Sequence, residues 1–358
     1  MKKNLFITIC FFILSLLFFY QKQYLNQNIN QKVKSQEIII KSPTLTKNNY
    51  LEKLTIDFVF ERLPLKNPPY QPKNNEISLI VTGDIILARS VNFISSKKND
   101  FTSPFKKISY LFNKKDIVFI NLESPLIDNC PLTNEGMTFC GNKSFIDGLK
   151  LINASIINIA NNHFENYGQD GINQTISLLE DNNIFVIGNE KHLIKSINNK
   201  KFAFLGFNFI LGGQISKEED IGNLIKKIRP KVDFLIIMFH WGDEYTSFPN
   251  DNQKKIAYFS IDLGADLVVG NHPHWIQTLE FHKDKPIIYS HGNFVFDQMW
   301  SEKTRQGIIG HYIFDEEGVK DIYFYPIIIE NYHQPRLASE QESKVIFEEM
   351  WKNSKKKL

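Results

Sequence analysis

The stretch Asp266–Gln277, "DLVVGNHPHWIQ", decides how the rest of the chain is read. Its first half is an aliphatic run. Its second half sets His272 and His274 on either side of Pro273, behind Gly270 and Asn271. Such a run reads as a strand buried on both faces, and polar residues at the carboxyl end of a strand lie where open α/β sheets bind ligands. Two imidazoles one residue apart at that edge are candidate metal ligands. Pro273 fixes its own φ and pushes His272 toward extended geometry. Residues two apart in an extended segment share a face, so both rings are expected to point to the same side.

The same pattern recurs in "ISLIVTGD" (77–84), "DIVFINLE" (116–123), "SIINIANNH" (155–163), "VDFLIIMFHWG" (232–242) and "PIIYSHGNF" (286–294), each aliphatic first and polar last. Helix-length amphipathic segments at 170–182, 217–229 and 251–264 lie between several of them. This alternation predicts an α/β domain over 76–335 with a largely parallel sheet. An antiparallel pair closes it in "GIIGHYIFDEEGVKDIYFYPIII", with Glu317 and Gly318 at the turn. Upstream, "KLTIDFVFERL" alternates as a short strand would. Downstream, 336–358 ends in "WKNSKKKL" and reads as a solvated basic tail.

At 358 residues, 42% hydrophobic and 23% charged, the chain suits one large or two modest globular domains. A net charge of +3 provides no basic field, so nucleic acid is not an expected partner. Lys2 and Lys3 precede an uncharged apolar run, Leu5 to Tyr20, close to the ~17 residues that can span a bilayer. The run ends in Phe-Phe-Tyr-Gln-Lys without the small residues of a cleavage site, so 1–20 reads as a membrane anchor in preference to a cleaved signal segment. The lysines place its start in the cytoplasm and the body outside. The expected location is therefore the cell membrane, with one N-terminal pass and an extracytoplasmic domain. Residues 21–75 begin with an Asn-, Gln- and Lys-rich polar tether. In an oxidising compartment Cys130 and Cys140 of "DNCPLTNEGMTFCGN" are expected to form a disulfide that braces their loop.

The polar clusters at the strand ends are Asp84; Asn121 and Glu123; Asn161, Asn162 and His163; His240; His272 and His274; and Asn293. Singly, each has an ordinary reading as a cap, a turn or a hydrogen-bonded histidine. Their recurrence at nearly every strand end points to one shared crevice. Carboxylate, amide oxygen and imidazole without cysteine form a ligand set for manganese, zinc or iron. A bridging carboxylate flanked by histidines can hold two cations ~3.5–4 Å apart for attack on a phosphoryl centre.

"VTGDIILARSV", "FINLESPL", "NIANNHFENYG", "FHWGDEY", "VGNHPHWIQ" and "HGNFVFDQ" together resemble the successive blocks of the capsule-biosynthesis CapA family. These are poly-γ-glutamate synthesis proteins whose domain is related to the calcineurin-like metallophosphoesterases. The resemblance covers about residues 76–330 and implies a four-layer α/β/β/α metallo-dependent-phosphatase-like sandwich. It also implies membrane attachment, one or two divalent ions, and a part in making or exporting a capsular polymer. By the same resemblance Asp84, Glu123 (the bridging position), Asn162, His240, His272 and His274 are metal ligands. His163 assists the leaving group, and Asn121, Asn161 and Asn293 support the ligands or touch substrate. Two departures stand out. Ile86 occupies the histidine position of the D-x-H pattern, two residues after Asp84, leaving one cation a ligand short, and His291 replaces a customary apolar residue. Two functions follow. One is a metal-dependent hydrolase acting on a phosphoester substrate. The other is a non-catalytic, metal-bearing subunit of a capsule synthase complex that binds an anionic envelope polymer.

Overall fold

The computed structural model describes residues 54–62, 70–73 and 75–356. The expected anchor at 1–20 and tether at 21–50 lie outside them. Among the described residues no helix is long and apolar enough to cross a membrane. In chain order the strands are β1 (Ile77–Ile85), β2 (Ile117–Leu122), the short β3 (Leu126–Ile127) and β4 (Gly141–Asn142), β5 (Ala154–Asn158), β6 (Phe185–Ile187), β7 (Leu193–Ile197) and β8 (Lys200–Asn208). They continue with β9 (Phe234–His240), β10 (Leu267–Asn271), β11 (Leu279–His282), β12 (Lys285–Ile288), β13 (Asn293–Val295), β14 (Gln306–Phe314), β15 (Val319–Glu330) and β16 (Gln334–Leu337). The helices are α1 (Ile56–Phe60), α2 (Arg89–Lys98), α3 (Ile146–Leu151), α4 (Gly168–Asp181), α5 (Glu218–Ile228), α6 (Asp251–Asp262) and α7 (Glu340–Lys355).

The strands form two large sheets, as the family resemblance implies, where the strand pattern alone suggests one largely parallel sheet. The first runs β16-β15-β14-β1-β2-β5-β6, with β13 beside β1, and the second runs β11-β12-β10-β9-β8-β7. Each has a parallel run, β1-β2-β5-β6 or β8-β9-β10-β12; antiparallel strands flank it on one side in the first sheet (β14-β15-β16) and on both sides in the second (β11 and β7). The side-chain period of two explains the split. Leu79, Val81, Phe119 and Ile156 of the first sheet meet Phe204, Ile236, Met238 and Val269 of the second in one shared core. The intervening Ile80, Val118, Ile120 and Ile157 turn outward onto Val91, Leu149 and Leu179 of α2, α3 and α4. Ala203, Leu205, Leu235, Ile237 and Val268 turn onto Ile221, Ile225, Ile256 and Ala257 of α5 and α6. The result is a four-layer α/β/β/α sandwich whose central strands are apolar on both faces because each face meets a separate core.

Two expectations are corrected at the chain's ends. The alternating "KLTIDFVFERL" segment is helical at α1, not a strand. The Phe58 N–H donates to Thr55 Oγ1 (3.2 Å), an N-cap that turns the backbone into a helix. Of the expected solvated tail at 336–358, residues 336–356 are instead part of the fold. Ser339 and Glu342 form a capping box that starts α7, and Ile346, Phe347 and Met350 join Val59 and Phe60 in the inter-sheet core. The lysines of "WKNSKKKL" include Lys352 and Lys355 on the last turn of α7, opposite this apolar face.

Phe347→Ala is therefore expected to destabilise the protein by about 3–4 kcal/mol in urea unfolding. Lys352→Ala at the exposed end of the same helix is expected to cost less than about 0.5 kcal/mol.

Candidate metal centre

Register brings the polar residues together. Asp84 pairs with Asn121 and Asn121 with Asn158 across β1, β2 and β5, and Asn293 of β13 sits on the other side of Asp84. In the second sheet Asn208, His240 and Asn271 form a matching row across β8, β9 and β10. Two glycines permit the close approach at this edge. A Cβ on Gly83 would lie 2.1 Å from the Gly292 carbonyl oxygen, and one on Gly270 would lie 2.0 Å from that of Tyr289.

Asp84 is fully buried, and each of its oxygens is engaged. Oδ1 accepts from Asn121 Nδ2 and Asn271 Nδ2 (2.9 Å each), and Oδ2 accepts from the His272 N–H (3.1 Å) with His274 Nδ1 at 3.2 Å. Burial pushes its pKa upward, but the hydrogen bond and charge of His274, with His240 and Asn271, outweigh that and hold the carboxyl below the usual range. Glu123 is the opposite case. It is fully buried, neither oxygen has a hydrogen-bond partner, and Oε1 lies 3.4 Å from His240 Nε2. Burial and the neighbouring Asp84 charge push its pKa well above the ordinary value. A bare carboxylate there is unfavourable unless it gains a proton or a cation.

His240 closes one side. Its Nε2 lies 2.8 Å from Asn162 Oδ1, and its Nδ1 lies 3.3 Å from Asn121 Nδ2. Metal bonds of roughly 2.1 Å separate neighbouring ligand atoms by about 3.0–3.4 Å, so Asn162, His240 and Glu123 already stand at coordination spacing. Ligand atoms of Glu123, His240 and His272 converge within 4.8 Å, as do those of Asp84, Glu123 and His274 and those of Glu244, His272 and His274. The buried His272 Nδ1 has no partner. Burial holds His272 well below, and His240 down to about 3, so both rings are neutral donors of a lone pair. His274 differs. Against the effect of burial, its hydrogen bond to Asp84 and the charge of Glu123 raise it to about 9. These groups fit a divalent cation: an orphaned carboxylate, an orphaned imidazole nitrogen, and amide oxygen and nitrogen donors of intermediate hardness.

The backbone of the "NHPH" segment departs from the expected extended form. His272 has φ 97° and His274 φ 57°, both in the region that non-glycine residues rarely adopt. The rings meet through this strained turn, with centroids 5.8 Å apart, instead of through strand alternation. The Tyr245 N–H donates to the Pro273 carbonyl (2.8 Å), which ties the turn to the loop after β9 and brings Glu244 Oε1 to 4.0 Å from His274 Nε2. Glu244 was not singled out from sequence, although its place just past His240 in "FHWGDEY" is a usable signal. Asn158 and Asn271 were missed as well. Asn158 Nδ2 donates to Asn121 Oδ1 (3.0 Å), so a chain of buried amides supports Asp84.

The remaining residues support the centre. Asn161 Oδ1 accepts from the N–H groups of His163 (3.2 Å) and Phe164 (2.9 Å), while its Nδ2 donates to the Leu122 carbonyl, so it shapes the turn that carries His163. Asn293 Oδ1 lies 2.9 Å from His274 Nδ1. His291 is buried beneath the site, with Nε2 2.9 Å from the Tyr312 hydroxyl. Ile86 is buried with Ala88, Phe139 and Phe296, so an apolar wall stands where the D-x-H pattern has its imidazole. Cys130 and Cys140 are joined in a disulfide, Cα atoms 5.8 Å apart, closing a short loop worth about 3 kcal/mol on the chain-entropy account.

A four-layer sandwich with carboxylate, amide and imidazole groups gathered at its strand ends defines an α/β/β/α domain with side chains that could hold a metal ion. The chain belongs to the bacterial capsule synthesis protein family PGA_cap, whose model matches residues 78–298. It is similar to the PGA biosynthesis protein CapA of Bacillus subtilis (strain 168), 30% identical over 300 residues and 78% of each chain. It is also similar to the capsule biosynthesis protein CapA of Bacillus anthracis, 26% identical over 81% of this chain and 76% of that one. A third relative, in Mycobacterium tuberculosis (strain ATCC 25618 / H37Rv), is named "Probable polyglutamine synthesis accessory protein" and is 22% identical over 66% of this chain and 69% of that one.

Cation binding must displace a proton from His274, whose pKa lies above its ordinary value. The apparent Mn²⁺ affinity is expected to rise from neutral pH toward about 9, with proton release on binding, as read by calorimetry in buffers of different ionisation enthalpy. Affinity independent of pH across that range would contradict this assignment.

Proposed function

We propose that this protein acts in the synthesis or export of a capsular or envelope polymer of the poly-γ-glutamate type, as a membrane-anchored, extracytoplasmic member of its family with a metal-dependent hydrolase site. The names of its Bacillus relatives support the polymer context. The observation that carries the site is Glu123, a fully buried carboxylate with neither oxygen hydrogen-bonded and histidines around it. Asn162, His240, His272, His274 and Glu244 would hold one or two divalent ions with it; Asp84, expected from sequence as a ligand, already has both oxygens hydrogen-bonded and would instead back the site with the amides of Asn121, Asn271 and Asn293. A bound divalent ion would supply Lewis acidity and positive charge for a phosphoester or related anionic group.

The chain's own residues then orient the reaction. Burial lowers His163 to about 4, against the hydrogen bond from its ring to Asn166 that favours the charged form, so at neutral pH the ring carries one proton. In that form it takes a proton at one nitrogen from the attacking water and passes it to the leaving oxygen. The fully buried Asp84 holds the His272 backbone and the His274 ring in place, and the apolar wall of Ile86, Phe139 and Phe296 excludes water on one side.

Ile86 also supports a second reading, in which the site holds a cation and an anionic polymer segment without turnover, as part of a synthase complex. The two separate on one assay. The full-length protein with added Mn²⁺ is expected to hydrolyse bis(p-nitrophenyl) phosphate, and His163→Gln to lower kcat about 100-fold while bound metal is retained. Metal-loaded wild-type protein without turnover would favour the binding reading.

A further inference from the structure

The loop closed by Cys130 and Cys140 runs along the site and ends against His163. Phe139, next to Cys140, is buried, and its ring lies against the His163 imidazole with centroids 4.2 Å apart and planes 31° apart. The Phe139 N–H donates to Asn166 Oδ1 (2.7 Å), and His163 Nδ1 lies 3.1 Å from the same oxygen. A backbone N–H can only donate, so the shared atom of Asn166 is its carbonyl oxygen, and His163 Nδ1 must carry the proton. That leaves the lone pair on Nε2. Farther along the loop, the Gly136 carbonyl accepts from Arg89 Nη1 (3.3 Å). The Arg89 guanidinium lies over the rings of Phe139 and Phe296 and pairs with Asp297, and Asn92 Nδ2 donates to Cys130 Sγ. The loop is thus tied to α2 at Cys130 and at Gly136, and Phe139 is fixed between Arg89 and His163.

We propose that the disulfide-closed loop is a positioning clamp for His163: through Phe139 and Asn166 it sets the ring's orientation and keeps the proton on Nδ1, so that Nε2 is the nitrogen offered to a ligand. Asn166 and Phe139 are positioning residues that act through His163. Opening Cys130–Cys140 releases Phe139 and with it the tautomer of His163, while the cluster of Glu123, His240, His272 and His274, at the strand ends and on the turn gripped by Asp84, keeps its geometry. The catalytic consequence rests on the hydrolase reading above; the tautomer does not.

The test uses full-length protein in detergent, labelled with ¹⁵N-histidine, with His163 assigned by its loss in His163→Gln. In the oxidised protein the His163 signals should show Nδ1 protonated and Nε2 bare. In Cys130→Ser/Cys140→Ser, in wild type reduced and alkylated, and in Asn166→Ala, which leaves the disulfide intact, the two nitrogens should move toward averaged shifts. Bound Mn²⁺ should be unchanged in all three. Where the wild type turns over a phosphodiester, kcat should fall about 10-fold with little change in KM. A His163 tautomer unaltered after the bridge is opened and in Asn166→Ala would overturn the clamp. Absence of turnover in the wild type alongside the predicted tautomer shift would sink the hydrolase reading and leave the clamp standing.

Discussion

The buried carboxylate of Asp84 is the point on which the rest of the structure closes. It stands at the end of β1 in the first sheet, takes hydrogen bonds from Asn121 of β2 and Asn271 of β10 in the second, and fixes the backbone of His272. A charged group with no exposure is tolerated only when every lone pair is met, so its partners have little freedom. They in turn hold the edges of both sheets at one level, and the strained turn at His272 and His274 is affordable because Asp84 grips it from below.

Beside it, Glu123 shows the complementary state. Two carboxylates share one dry pocket, and donors are provided for only one of them. The protein resolves part of the conflict by protonating His274 and raising the pKa of Glu123. A cation between Glu123 and the neutral imidazoles would resolve the remainder, and this electrostatic imbalance is the reason for reading the crevice as a metal centre. The apolar packing of Ile86 limits the ligands on one side, while Glu244 adds a carboxylate on the other.

How much of this was legible depended on range. Strand ends could be located because aliphatic runs such as "DFLIIMFH" and "DLVVGN" stop abruptly in polar residues, and Asp84, Glu123, Asn162, His240, His272 and His274 do converge. Two sheets could not be told from one by pattern alone, because a strand between two cores is as apolar as one between two helix layers. The final helix was hidden by the lysines of its last turn, although Ser339 and Glu342 carried a readable cap. The turn at His272 was misjudged because proline's local preference for extended neighbours gave way to the grip of Asp84, a contact 188 residues away in sequence. Glu244 and Asn158 were overlooked for a related reason: nothing local marks a carboxylate or amide that becomes important only when another strand arrives.

Whether the pocket around Glu123 binds a cation decides what the crevice does. The most direct measurement is metal content per chain of the full-length protein after exposure to Mn²⁺, Zn²⁺ or Fe²⁺ and desalting, for wild type, Glu123→Ala, His272→Ala and His274→Ala, with circular dichroism as the check on folding. At least one equivalent is expected in the wild type, nearly complete loss in Glu123→Ala, and a clear reduction in both histidine variants at unchanged secondary structure. Equal metal content in all four proteins, or none in the wild type, would contradict it.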